Sequence, residues 1–179
     1  MTAFRRIASA ALVLCTIVVV LGAYVRLSDA GLGCPDWPGC YGHLTGPDEA
    51  HEEASAAENF PERPLEHGKA WKEMIHRYAA STLGLLILIM AFMSLKLRDQ
   101  GVPRVLPWAL LGLVIFQGIL GMWTVTWLLK PAVVTAHLLG GMTTLALLAW
   151  LRLSVRRPAP TQLPSPTPGL RRFAGIALA

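Results

Sequence analysis

Charged side chains are scarce in this sequence, and their scarcity excludes an ordinary water-soluble domain. Only 15% of the 179 residues are Asp, Glu, Lys or Arg, against roughly 25% in soluble globular proteins. Hydrophobic residues make up 54% of the chain, and the mean hydropathy is +0.48. The sequence also lacks a second Cys or His pair at zinc-finger spacing and a basic face of the kind that binds nucleic acid. We therefore expect no nucleic-acid partner.

The sequence instead contains four long apolar runs. A helix needs about 20 apolar residues to cross the hydrocarbon core of a bilayer. The pattern predicts an all-α polytopic membrane protein, with a four-helix bundle over residues 1–151 in contact with lipid. The first run follows two arginines, as in a cleaved signal peptide, but it is longer than a usual signal core, which favours a retained span. The four runs are Ile7–Val25, Trp71–Leu95, Val105–Trp127 and Ala132–Leu151.

The distribution of charge predicts the orientation of these spans. Lys and Arg residues near the span ends concentrate on the side that holds both termini, which the positive-inside rule assigns to the cytoplasm. Ten of the eleven acidic residues lie between Asp29 and Glu73 on the other side. We expect a bacterial-type inner membrane protein with a cytoplasmic N-terminus and an outer loop over residues 27–70.

The C-terminal part differs in composition from the rest of the chain. Residues 152–169 are basic and rich in proline, which predicts a cytoplasmic linker. Residues 170–179 repeat the charge-then-apolar pattern of Arg5–Leu14 and then stop. Half a span is unstable in lipid, so we interpret this segment as the start of a truncated fifth helix. A short amphipathic tail is the alternative.

Two histidines lie at matching depths in different predicted spans. His76 follows Trp71 by five residues, and His137 follows Ala132 by five. The second and fourth spans run in the same direction, so the two imidazoles can face each other across a bundle. Ionisable side chains at membrane depth are rare and mark functional sites, and imidazole is a strong iron ligand. The pattern favours a metal or haem clamp over two separately satisfied histidines.

Glu73 and Arg77 flank His76, and the local sequence leaves their roles open. Glu73 lies on the same helical face as His76. It can orient the imidazole, accept a proton from a bound substrate, or stand as a carboxylate favoured by the helix dipole. Arg77 can pair with a haem propionate or extend towards the membrane surface.

Cys34 and Cys40 lie close together in the outer loop. Because the outer face of a membrane is oxidising, a disulfide is the leading interpretation, and a redox role remains open. Cys15 is interpreted as a buried apolar residue. Gln117, deep in the third span, is expected to form an interhelical hydrogen bond. The glycines of the last three spans either let helices approach or leave room for a flat macrocycle.

Four segments together resemble the haem A synthase family. They are RLSDAGLGCPDWPGC at Arg26–Cys40, EMIHR at Glu73–Arg77, QGILG at Gln117–Gly121 and TAHL at Thr135–Leu138. The cysteine loop and the Glu-x-x-His-Arg motif are specific, whereas the glycine motif alone is weak. The match covers nearly the whole chain in order.

The resemblance implies the first half of an eight-helix enzyme made of two similar four-helix halves. Such an enzyme converts haem O to haem A for cytochrome oxidase by oxidising a porphyrin methyl to a formyl group. It implies that His76 and His137 are the axial ligands of the substrate haem, that Glu73 is the functional carboxylate, and that Cys34 and Cys40 form the outer disulfide. A second haem, haem b, is expected in the other half.

The sequence departs from the family in lacking that second half and its histidine pair. This chain alone is therefore expected to bind one haem without full activity, unless two copies associate. Haem O synthase and cytochrome oxidase assembly proteins are the partners that the resemblance implies. The rival interpretation is a non-enzymatic bis-histidine cytochrome or a haem-carrying assembly factor. The cysteine pair and Glu73 favour the enzyme, because an electron carrier needs neither.

Overall fold

The computed structural model describes residues 2–46, 56–97 and 100–155. Over these residues the chain forms four long α-helices, each long and apolar enough to cross a membrane. The all-α, polytopic bundle predicted from the sequence is confirmed, and the protein is a multi-pass membrane protein. The helices are α1 (Thr2–Leu27), α2 (His67–Lys96), α3 (Val105–Thr126) and α4 (Pro131–Ser154).

Three helices extend beyond the predicted apolar runs. Helix α1 begins at Thr2 instead of Ile7, α2 begins at His67 instead of Trp71, and α4 continues to Ser154. Residues 152–154, where the sequence predicts the start of a linker, are therefore helical. The apolar pattern ends where the helix leaves the hydrocarbon, but backbone hydrogen bonding continues into the polar interface. The remainder of the predicted linker and the predicted fifth helix at 170–179 lie outside the described residues.

The helices pack as a ring. Helices α1 and α3 each contact both α2 and α4, whereas in the described part of the chain α1 does not contact α3 and α2 does not contact α4. Neighbouring helices are antiparallel. The two helices that carry His76 and His137 therefore stand diagonally opposite each other across the bundle interior.

The apolar core occupies the end of the bundle that holds Thr2 and Ser154, here called the far end. Its side chains come from all four helices and include Phe4, Ala8, Ile87, Leu110 and Leu148, each fully buried. The opposite end, here called the loop end, carries the connection between α1 and α2.

Candidate functional site

The loop end is closed by a short disulfide-bonded segment. Cys34 and Cys40 are joined, both are fully buried, and they pack with Tyr41, Ala70 and Met74 in a small apolar cluster. The predicted disulfide is confirmed. Cys15 is a free, buried thiol in α1, as expected from the sequence.

Asp36 organises the backbone inside this disulfide loop. Its two carboxylate oxygens accept hydrogen bonds from the Tyr41 amide at 2.6 Å and the Gly42 amide at 2.9 Å. Asp36 was not singled out from the sequence, although an Asp within a Pro- and Gly-rich turn commonly binds nearby backbone amides. The Tyr41 hydroxyl donates to the carbonyls of Arg63 and Pro64 at 3.3 and 3.2 Å. Burial raises the pKa of Tyr41.

Glu73 joins α2 to the disulfide loop. Its side chain is 5% exposed, and one carboxylate oxygen accepts a hydrogen bond from the Cys34 amide at 2.9 Å. The other oxygen forms an ion pair with Arg77. Both oxygens are thus directed at the loop and the arginine. The structure does not support the interpretation in which Glu73 orients the His76 imidazole.

Arg77 binds the same loop through its carbonyl groups. One terminal nitrogen, Nη1, donates to the carbonyls of Asp36 at 3.1 Å, Pro38 at 3.3 Å and Gly39. The other, Nη2, donates to Asp36 at 3.2 Å and to Glu73. The terminal nitrogens of Arg77 are therefore engaged by the loop. A haem propionate would have to compete with these carbonyls.

His76 and His137 lie in one layer of the bundle. The Cε1 atom of His76 is 3.0 Å from the position that a Cβ on Gly22 of α1 would occupy, and the Cε1 atom of His137 is 3.6 Å from the corresponding position on Gly121 of α3. Gly22 and Gly121 each precede the loop end of their helix by five residues, about 7.5 Å of helix rise. The structure thus places the two histidines at one depth, each against a glycine of a neighbouring helix.

Each imidazole of this layer has a nitrogen without a partner. The Nδ1 atoms of His76 and His137 are buried and form no hydrogen bond in the described part of the chain, although buried polar groups are normally paired. No group of three or more His, Cys, Asp or Glu side chains able to hold a bare metal occurs in residues 2–46, 56–97 and 100–155. Two histidines suffice for haem, whose ring supplies the other four iron ligands. The residues present therefore fit a haem better than a bare metal ion.

The glycines of the last three spans divide into two groups. Gly121 lies against His137, and Gly140 lies against the amide of Gln117. Around Gly84, Gly118 and Gly141 there is open space where a Cβ would stand. Gln117 contacts Gly140 of the neighbouring helix, but its amide nitrogen does not form the interhelical hydrogen bond expected from the sequence and has no partner among the described residues. Spacing alone could not have identified which glycines border polar side chains.

Comparison with known proteins identifies the family of this chain. A family model described as cytochrome oxidase assembly protein, COX15-CtaA, matches residues 5–179. The chain belongs to this family. It is 49% identical over 167 residues to the heme A synthase of Shewanella oneidensis, covering 93% of this chain and 49% of that protein. It is 32% identical to the heme A synthase of Caulobacter vibrioides, covering 80% of this chain and 47% of the relative.

A third relative is matched over similar shares of the two chains. The chain is 28% identical to the heme A synthase of Granulibacter bethesdensis, over 90% of this chain and 48% of that protein. The chain thus spans about half the length of the curated relatives that it matches. In this member of the COX15-CtaA family, both histidines, Glu73, Arg77 and the cysteine pair fall within the matched residues.

The docking of the disulfide loop on α2 depends on the planar fork of Arg77. We expect Arg77→Lys to loosen the loop, because an ammonium group cannot bind three carbonyls and a carboxylate in that fixed geometry. The backbone amides of residues 33–42 should then exchange hydrogen faster than in the parent protein. Arg26→Lys, at an exposed position on α1, is the matched control. Unchanged exchange in Arg77→Lys would contradict the assigned role.

Proposed function

We propose that this chain holds a substrate haem between His76 and His137. The observation that carries the proposal is the shared layer of the two imidazoles on diagonally opposite helices, each with an unpartnered nitrogen. Gly22 and Gly121 leave room for the Cε1 edges of the two rings to approach the neighbouring helices. The two imidazoles would hold the bound haem, and the oxidation would take place at a substituent on the edge of its ring.

The reaction that we propose is the oxidation of haem O to haem A for cytochrome c oxidase assembly. It is supported by membership of a cytochrome oxidase assembly family and by relatives named heme A synthase. Converting a ring methyl to a formyl group takes up one water molecule and releases four protons and four electrons. The water oxygen becomes the formyl oxygen, and the electrons pass to an external electron acceptor. The protein is thus proposed to be an oxidoreductase.

Glu73 is proposed to take part in moving these protons. It is a buried carboxylate three residues from His76, and its charge is balanced by Arg77. To accept a proton it must weaken its contact with Arg77, which in turn holds the carbonyls of the disulfide loop. The cysteine pair is therefore proposed to act by holding the loop, and with it Glu73 and Arg77, in place over the haem.

Residues 1–151 are proposed to be the haem-binding half of an eight-helix protein. This proposal is supported by the chain covering 49% of its Shewanella relative. The second half, or a second copy of this chain, would supply a haem b site. The cysteine loop would face the outer side of a bacterial inner membrane, and haem O synthase is a proposed partner in haem delivery.

The two histidines should each be required for haem binding. His76→Ala or His137→Ala should remove one axial ligand, so that the purified protein loses most of its bound haem, measured as pyridine haemochrome per mole of protein. His43→Ala, in the disulfide loop region, is the control and should retain the haem. Full haem content in both His76→Ala and His137→Ala would contradict the proposed ligation.

Glu73 should be required for the oxidation more than for haem binding. In Glu73→Gln the amide oxygen can still accept the Cys34 hydrogen bond, but the side chain cannot take up a proton at neutral pH. We expect haem to remain bound while haem A formation from supplied haem O falls by roughly 100-fold, the typical contribution of a positioned acid or base. Glu66→Gln, which removes the surface partner of Lys69, is the control. Haem A formation at the full rate in Glu73→Gln would rule out the role given to Glu73.

A further inference from the structure

Gln117 carries a buried hydrogen-bond donor that the proposed function does not yet use. Its side chain is 9% exposed, and its amide nitrogen has no partner among the described residues. The amide lies directly against the backbone of Gly140, where any Cβ would overlap it. An unpaired N–H group within a membrane protein is unfavourable because no bulk water is present to satisfy it. The occupied site is therefore expected to contain an acceptor for it.

Buried nitrogens without a hydrogen-bond partner also occur in the partly exposed residues Arg63, His76, His137 and Arg152. The other polar residues that are buried as a whole do not share this property. In the part of the chain that the structure describes they are Glu73, Ser94 and Thr144. Glu73 pairs with Arg77, the Ser94 hydroxyl donates to the Ala91 carbonyl at 2.7 Å, and the Thr144 hydroxyl donates to the Gly140 carbonyl at 2.8 Å. Gln117 is thus distinguished from the other members of this set by its unpaired nitrogen.

The position of Gln117 relates it to the histidine layer. On α3 it precedes Gly121 by four residues, and on α4 its neighbour Gly140 follows His137 by three, so both pairs share a helical face. Four residues of helix correspond to about 6 Å. Gln117 of α3 therefore lies beside the face of α4 that bears His137. It is about 6 Å closer to the far end than the histidine layer. That offset is comparable with the distance from the iron of a haem to the edge of its ring.

We propose that Gln117 contacts the bound porphyrin and donates a hydrogen bond from its amide nitrogen to an oxygen on the ring edge that points towards the far end. This inference rests on the proposed function. The methyl and vinyl groups of a porphyrin offer no acceptor, and its ring nitrogens bind iron. Charged propionates avoid the membrane interior and belong at the polar loop end. Two neutral acceptors remain: the hydroxyl on the alkyl chain, which haem O and haem A share, and the oxygen that the oxidation adds to the ring methyl. We assign Gln117 to the second, and the formyl stretching frequency distinguishes the two.

Gln117 is accordingly a specificity-determining residue for the oxidised ring substituent. It favours a porphyrin that bears a formyl oxygen over one that bears a methyl group at the same place. One net hydrogen bond corresponds to roughly threefold to tenfold in affinity. The chain should therefore bind haem A more tightly than haem O by a factor that depends on Gln117.

The direct test is the formyl C=O stretching frequency of haem A bound to the purified whole chain, measured by resonance Raman spectroscopy. A hydrogen bond lowers this frequency. In Gln117→Leu the stretch should move to higher frequency, and the preference for haem A over haem O should fall by roughly threefold to tenfold. Gly140→Ala should produce the same change by displacing the amide, and it serves where Gln117→Leu fails to fold. Thr144→Val, which removes a neighbouring hydroxyl of similar burial, should change neither quantity.

Three outcomes would overturn the inference. A stretch that is identical in the parent chain, Gln117→Leu and Gly140→Ala would overturn the inference and leave water as the acceptor, while haem ligation by His76 and His137 would stand. An equal shift in Thr144→Val would overturn it as well, because the change would then be unspecific. A parent chain that binds no haem at all would overturn both the proposed function and this inference.

Discussion

The ion pair between Glu73 and Arg77 is the interaction on which the loop end of the structure depends. Both side chains are largely buried, and removing one member of a buried pair typically costs about 3–5 kcal/mol. The pair does more than neutralise charge, since each member also binds the backbone of the disulfide loop. These two residues lie on the turns of α2 that also carry His76. The loop and the histidine are therefore held in one rigid relation.

The layer below this pair has a repeated arrangement. A histidine of α2 lies against a glycine of α1, and a histidine of α4 lies against a glycine of α3. Because the α1–α2 and α3–α4 pairs each run to the loop end and then back, the same contact occurs twice on opposite sides of the ring. The two imidazoles therefore stand at one depth on diagonally opposite helices. In the proposed function they would hold a planar haem between them, with the Gln117 amide closer to the far end.

The four spans and the common depth of the two histidines could be predicted from the sequence. The contacts that were missed have a common cause. Hydropathy located the four spans, and counting residues placed His76 and His137 at one depth, because helical rise is fixed. The partners of Glu73 and Arg77 were missed because the loop carbonyls lie 38 to 41 residues away in sequence, and hydropathy carries no information on such contacts. Gly22 was missed for the same reason. The contacts of Gln117 depend on how α3 is rotated about its axis. The span is apolar on nearly all sides, so its hydropathy pattern does not determine that rotation.

Most of the proposed function depends on His76 and His137 binding one iron together. Near-infrared magnetic circular dichroism of the ferric, haem-loaded chain tests this ligation most directly, because the charge-transfer band of low-spin haem reports the identity of both axial ligands. We predict a low-spin spectrum with the band of bis-imidazole coordination. A high-spin spectrum, or a band of another ligand pair, would contradict it.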